Sequence, residues 1–377
     1  MTRLRGTLVA GAIALCTTLS VGCGDSTGPA NGNLADPAGL SNDVQSLATP
    51  FDAPAFRGLA ALSGGTTPLT RTTRLLAALA PNRPVPSARV EAARKATFAL
   101  RALRPSFAAA PAGPGSVIPS TYWGKVYVWD TGTSQYVEGS ATGGPANGVR
   151  FTVYAIDPIT DRPATPLVEV GHVDLVDQST NSEYKLAVLV ADGSLTVADY
   201  LVTATSTATS FAASAAGYLT DGTHRLDFAN SASAGPSQVQ IDYQLSLDQP
   251  AVSARLQAAL TGDQSSARLA TTFTVTRESE VVVLTGSLVL TQTQAGYSAS
   301  ANFVVTVNGA QFATITGSSQ SGGTTTYTYT GPSRDLTQEE RNALERMFEA
   351  TGSLSALVDA VFAPIEEILQ TGDSFGV

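Results

Sequence analysis

The chain has 377 residues, of which 14% are charged and 7% aromatic, and its formal net charge is -9. A hydrophobic content of 43% with so little charge supports a packed core and argues against intrinsic disorder. The negative net charge disfavours binding to nucleic acid, and two Cys are too few for a disulfide scaffold.

The first 22 residues have the features of a secretory signal peptide. Arg3 and Arg5 precede an apolar run, residues 8–19, that is shorter than the roughly 20 residues of a membrane-spanning helix. The run ends in the sequence Leu19-Ser20-Val21-Gly22-Cys23.

This ending resembles the signal of bacterial lipoproteins, in which an apolar residue and two small residues precede an invariant Cys. The resemblance covers residues 1–23 only. It implies cleavage between Gly22 and Cys23, acylation of Cys23 by chains such as palmitate, and attachment to a membrane of the bacterial cell envelope. An ordinary signal peptide that happens to contain a Cys is the alternative.

Residues 23–40 are small and polar and are predicted to form a flexible tether. Residues 41–107 are predicted to be helical, beginning at an N-cap cluster of Ser41, Asn42 and Asp43. Basic residues outnumber acidic ones here, whereas residues 335–373 are acidic. We expect the basic segment either to face the acidic one or to contact anionic headgroups.

From residue 118 to residue 331 the apolar period changes to two, which predicts β-strands. In residues 238–248, for example, an alternating apolar face is formed by Val239, Ile241, Tyr243, Leu245 and Leu247. Short connections with Asp-Gly and Asn-Gly pairs indicate hairpins. We predict a mainly β fold, a large curved antiparallel meander of about 13–15 strands that is half-barrel or barrel-like, with flanking helices.

Residues 335–370 return to helical spacing, with Thr337 and Glu340 placed as a capping box. An apolar helix stripe follows, formed by Leu354, Leu357, Val358, Val361, Phe362, Ile365, Ile368 and Leu369. This stripe predicts an amphipathic helix packed on the sheet, so residues 41–370 are expected to form one folded unit.

No motif has the spacing of a catalytic or metal site. Residues 372–375, Gly-Asp-Ser-Phe, resemble the nucleophile block of GDSL-type hydrolases but lie at the wrong end of the chain. His172 and His224 lack the paired spacing that a zinc site needs. We therefore expect no enzyme, no cofactor and no metal.

Three functions fit these features. The first is non-enzymatic binding of an apolar or lipid ligand in the curved sheet, because the C-terminal stripe and the apolar strand faces must be buried. The second is a surface or periplasmic scaffold for a protein or glycan, because Thr324, Thr326, Thr328 and Thr330 share a face suited to exposure. The third is an outer-membrane β-barrel, since strands of this length suit one. The sequence names no ligand and no protein partner.

Overall fold

The computed structural model describes residues 32–52, 54–55, 116–157, 160, 162–207, 210–235, 237–262, 266–293, 296–320, 326–348 and 350. The predicted signal peptide with Gly22 and Cys23 lies outside these residues. So do most of the predicted helical segment 41–107 and the whole apolar stripe between residues 354 and 369.

Fifteen strands form one sheet, which confirms the predicted antiparallel meander. The strands are β1 (Lys125–Asp130), β2 (Gln135–Thr142), β3 (Gly148–Tyr154), β4 (Glu169–Asp177), β5 (Tyr184–Asp192), β6 (Leu195–Ser206), β7 (Phe211–Thr220), β8 (Arg225–Ala234), β9 (Gln238–Leu247), β10 (Val252–Gly262), β11 (Ser266–Arg277), β12 (Glu280–Thr293), β13 (Gly296–Val307), β14 (Ala310–Gln320) and β15 (Thr326–Thr330). From β3 to β15 each strand pairs with the next one along the chain. The exception is β1, which lies between β2 and β3 and runs parallel to β3.

The sheet is open. In the strand order of the described residues, β2 and β15 are the two edges, and each pairs with one neighbour. The sheet is therefore not closed into a barrel. The sequence prediction allowed either a half-barrel or a barrel, and the closed barrel is not observed.

One face of the sheet is buried and the other faces solvent. In β8, Leu226, Phe228 and Asn230 are buried while the residues between them are exposed. Most of the buried apolar side chains of β3 to β14 belong to one continuous hydrophobic core. We call this side of the sheet the core face. An antiparallel sheet with period-two alternation can bury one face and expose the other to solvent.

The N-terminal helix α1 (Pro37–Ser46) packs on the core face through Leu40 and Val44. Its N-cap is Asp36, whose carboxylate accepts from the backbone N–H of Gly39 at 2.9 Å. The helix therefore begins earlier than the N-cap cluster predicted at residues 41–43, and residues 37–40, assigned to the tether, are helical. The sequence Asp36-Pro37 explains the start, because Asp is a favoured N-cap and Pro is favoured at the first helical position.

Helical residues 338–348 cover the core face near β13 and β15. The predicted capping box is confirmed: the Thr337 N–H donates to Glu340 at 2.8 Å, and the Glu340 N–H donates to the Thr337 hydroxyl at 3.2 Å. Phe348 contacts the rings of Phe303 and Tyr327, with centroids 5.3 and 5.6 Å away. In the part of the chain that the structure describes, no helix is long and apolar enough to cross a bilayer.

Candidate functional site

Gly22, Cys23 and the apolar stripe of residues 354–369 all lie outside the described residues. The candidate site comes instead from a group of residues on the core face of β6, β7 and β8.

A line of small residues on β7 forms the floor of this site. Ala213, Ala215 and Gly217 alternate along the core face of the strand. On β6, Tyr200 lies opposite Gly217 and Val202 opposite Ala215. On β8, Phe228 lies opposite Gly217 and Asn230 opposite Ala215. Larger side chains thus flank a floor of small ones, and we call this feature the β7 groove.

Only glycine fits at the end of the floor. A Cβ atom at Gly217 would overlap the carbonyl oxygen of Asp199 and the Cβ of Tyr200. The rings of Tyr200 and Phe228 meet edge to face, with centroids 5.6 Å apart. Because β6 and β8 are separated by β7, their backbones lie about 10 Å apart. Both rings therefore lean across Gly217 and close that end of the groove.

The groove holds two buried polar groups without hydrogen-bond partners. Tyr200 is 2% exposed and Asn230 is 3% exposed, and neither the Tyr200 hydroxyl nor the Asn230 Nδ2 has a partner. Burial raises the pKa of Tyr200, so its hydroxyl keeps its proton. The Asn230 Oδ1 accepts from the backbone N–H of Gln244 at 3.2 Å, which fixes the amide with its NH2 group unpaired.

Asn230 is out of place in its row of the sheet. Reading across the strands, its row on the core face contains Leu186, Val202, Ala215, Asn230, Tyr243, Leu256, Phe273, Leu284 and Val305. Burying an amide NH2 without a partner costs free energy that an apolar residue would avoid. The residue therefore calls for an explanation other than core packing.

Three carboxylate side chains are buried in the described part of the chain, those of Asp177, Glu280 and Glu340. Glu340 pairs with Arg334, and Glu280 lies 3.9 Å from Arg277. Burial alone would raise the pKa of Asp177, but hydrogen bonds from Ser116, Ile118 and Ser179 outweigh it and hold that pKa below its usual value. Asp177 thus stays ionised and fixes residues 116–118 against β4.

The N-terminal segment packs against β7. The 3₁₀ turn Thr49–Asp52 contacts this strand, and the nearby Ala55 is fully buried in the same core. The chain that follows α1 therefore lies on the core side of the sheet.

Neither His of the chain forms a catalytic arrangement. His224 Nδ1 lies 2.9 Å from Asp221 within the hairpin turn between β7 and β8. The Thr220 hydroxyl in that turn donates to the His224 carbonyl oxygen at 2.7 Å, so these contacts stabilise the turn. His172 lies 3.9 Å from Asp174, which Arg150 already holds through two hydrogen bonds.

Metal binding has no support in the described residues, where no three His, Cys, Asp or Glu side chains group in a way that could hold an ion.

The sequence did contain a signal for the groove that period-two analysis missed. In the β8 sequence Leu226-Asp-Phe228-Ala-Asn230, the polar Asn230 lies on the core face. The two preceding residues on that face, Leu226 and Phe228, are apolar. Tyr200 gave no such signal, because tyrosine is common on both faces of a sheet.

Known proteins give no further guidance to the site. The chain matches no protein family model, no curated protein and no solved structure. A proposal about its function therefore starts from the buried polar residues of β6 and β8 and from the signal-like N-terminal sequence.

Proposed function

We propose that this chain is a lipid-anchored protein of the bacterial cell envelope that binds an apolar or lipid ligand in the β7 groove without chemically changing it. The observation that carries the proposal is the pair of buried donors, the Tyr200 hydroxyl and the Asn230 amide, inside an otherwise apolar core. A ligand with an apolar body and a hydrogen-bond acceptor would satisfy both donors.

The energetics favour a bound molecule. Each buried donor without a partner costs about 1–3 kcal/mol relative to a satisfied one. A ligand acceptor recovers that cost on binding.

The anchor is supported by the N-terminal sequence and agrees with the course of the chain. Gly32 packs against Ala310 and Gln311, and the Ala35 N–H donates to Glu280 at 2.8 Å. The stretch from Cys23 to Gly32 spans at most about 30 Å when fully extended. Acylation of Cys23 would therefore hold the hairpin ends of β11–β12 and β13–β14 close to the membrane.

Ligand binding is tested by purifying the full chain from bacterial membranes in detergent and analysing its lipid extract by mass spectrometry. We expect a co-purifying amphiphile at a fixed ratio to the protein. The double variant Tyr200→Phe/Asn230→Leu should carry about tenfold less of it. The matched control Tyr218→Phe/Asn302→Leu alters the same residue types off the core face and should carry the parental amount. An extract without amphiphile, or with equal amounts from all three proteins, refutes the proposal.

The anchor is tested separately. Cells fed labelled palmitate should label the parent and the Cys16→Ala variant but not the Cys23→Ala variant. After a carbonate wash, Cys23→Ala should leave the membrane while Cys16→Ala stays. Retention of the unlabelled Cys23→Ala chain in the membrane would contradict a lipid anchor.

A scaffold function is the second candidate, and the solvent face of the sheet favours it. One row across the five strands β11 to β15 contains Thr272, Thr285, Val304, Thr314 and Thr330, and the neighbouring rows are also rich in small hydroxyl and amide side chains. Such a face suits a glycan or protein surface. Crosslinking in intact envelopes should then trap one defined partner, and the substitutions Thr316→Lys and Thr328→Lys on that face should abolish the crosslink. Loss of the crosslink in Tyr200→Phe instead would point back to the groove.

A further inference from the structure

We propose that the outer edge of β15 pairs with β15 of a second copy of this chain, in an antiparallel register centred on Thr328. The pairing joins two open sheets into one continuous sheet with two-fold symmetry. It is independent of ligand binding in the β7 groove.

The edge formed by β15 lacks the features that usually keep sheet edges apart. Natural proteins blunt exposed edges with charged side chains, proline, bulges or a covering segment. β15 has the sequence Thr-Tyr-Thr-Tyr-Thr, and its pairing with β14 is regular along its whole length. Residues 281–333, which include β13, β14 and β15, contain no Asp, Glu, Lys, Arg or His. Among the described strands β14 is the only neighbour of β15, so this edge is suited to pairing with another strand.

The opposite edge of the sheet, β2, is protected. Glu138 lies within β2 and pairs with Lys125 at 2.6 Å, and the pairing of β1 with β2 is irregular between Lys125 and Tyr127. A charge and an irregular register are both devices that blunt an edge. Pairing through β15 uses the unprotected edge of both copies and leaves only the two β2 edges. The assembly therefore stops at two copies.

The sequence of β15 reads the same in both directions, which suits a pair of identical antiparallel strands. A register centred on Thr328 places Thr328 opposite its own copy, Tyr327 opposite Tyr329, and Thr326 opposite Thr330. Every cross-strand pair then joins two residues of the same type. Other registers that keep the two core faces on the same side pair fewer residues of the strand.

The same register aligns the faces of the two sheets. Tyr329 lies opposite the buried Ile315 of β14, and Tyr327 contacts Phe348, so both tyrosines belong to the core face. Thr328 is exposed on the solvent face. Aromatic pairs and threonine pairs across neighbouring strands both stabilise a sheet. The joined sheet therefore has one continuous core side and one continuous solvent side.

The absence of charge favours a second copy as the partner. Each chain has a formal net charge of -9, so two copies repel each other over most of their surfaces. An uncharged edge removes this repulsion where the strands meet. A pair of five-residue strands is a small interface, and we expect a dissociation constant on the order of 10 µM for the dimer.

A charge swap at Thr328 tests the register, because the two-fold axis places this residue opposite itself. Thr328→Lys or Thr328→Glu alone should raise the dissociation constant of the dimer about tenfold through like-charge repulsion. An equimolar mixture of the two variants brings Lys opposite Glu and should return to within about threefold of the parent. Sedimentation of the full chain in density-matched detergent, over concentrations that span the expected dissociation constant, measures these changes.

Matched controls use another exposed threonine of the solvent face. Thr285 lies on β12, three strands from the edge, which is beyond the range of screened charges. Thr285→Lys and Thr285→Glu should therefore dimerise like the parent. Because Thr328 is exposed, urea denaturation of its variants should stay close to that of the parent, which shows that a lost dimer is not a folding defect.

Crosslinking in intact envelopes gives a second measurement. With a short bismaleimide, Thr328→Cys should form a crosslink to a second copy, whereas Thr285→Cys and the parent should not. A crosslink from Thr328→Cys to a different protein in place of a second copy overturns the choice of partner.

The sedimentation results can overturn the proposal in three further ways. A parent chain that stays monomeric at all concentrations contradicts it, and so does a dimer that neither charge at Thr328 weakens. A dimer that each charge weakens but the mixture does not restore contradicts the two-fold register. Growth beyond two copies would show that β2 pairs as well and would contradict the closed assembly.

Discussion

The substitution Tyr200→Phe should make the lipid-free protein more stable. The tyrosine hydroxyl is buried without a partner beside Phe228, and phenylalanine keeps the ring and its edge-to-face contact. A buried group without a hydrogen bond costs about 1–3 kcal/mol. Removing the hydroxyl removes this cost. The small void that it leaves is itself destabilising and cancels part of the effect, so we expect a net increase of about 1–2 kcal/mol in the free energy of unfolding.

Urea denaturation and calorimetry of the delipidated full chain measure this change. A gain of that size corresponds to a rise in Tm of about 2 °C for a chain of this length. The control Tyr218→Phe, off the core face, should stay within about 0.5 kcal/mol of the parent. With the co-purified amphiphile bound, the stability difference between the variant and the parent should narrow, because the ligand stabilises the parent more than the variant. A loss of stability in the lipid-free Tyr200→Phe protein would show that the hydroxyl already has a partner, and the reasoning about the groove would be wrong.

Three further predictions concern the contacts that hold the helices and the linker to the sheet. Thr337→Ala removes the hydroxyl that accepts from the Glu340 N–H and should cost about 1 kcal/mol in urea denaturation, whereas Thr337→Ser should cost little. Arg277→Met leaves the buried Glu280 without its nearby guanidinium and should lower the free energy of unfolding by about 2–3 kcal/mol. The double variant Arg277→Met/Glu280→Gln should recover part of that loss, and an equal loss in the single and double variants would contradict the pairing. The depressed pKa of Asp177 stabilises the fold above about pH 4 and ceases to do so as the pH falls through the folded-state pKa. The stability difference between the parent and Asp177→Asn, followed by denaturation from pH 6 to pH 2.5, should therefore narrow below pH 4, and a constant difference would argue against an ionised Asp177.

Local sequence signals predicted the sheet well because the fold is mostly local. From β3 to β15 each strand pairs with its neighbour in the chain, so period-two alternation and hairpin turns are enough to indicate the meander. The capping box of Thr337 and Glu340 also depends only on residues three positions apart. The start of α1 was placed too late, because the polar cluster at residues 41–43 has the composition of an N-cap although Asp36 forms it.

By itself the sequence determined the fold class, the alternation of apolar and polar faces, and the signal-like N-terminus. Only the tertiary structure decided that the sheet stays open and that β1 lies between β2 and β3, because both depend on pairing between strands that local spacing does not specify. The same holds for the groove. Whether the Tyr200 hydroxyl and the Asn230 amide find partners depends on which residues face them across β7 and from the N-terminal segment. Register and long-range packing decide whether each group finds a partner. The sequence shows only that the polar Asn230 occupies an apolar position of the alternation.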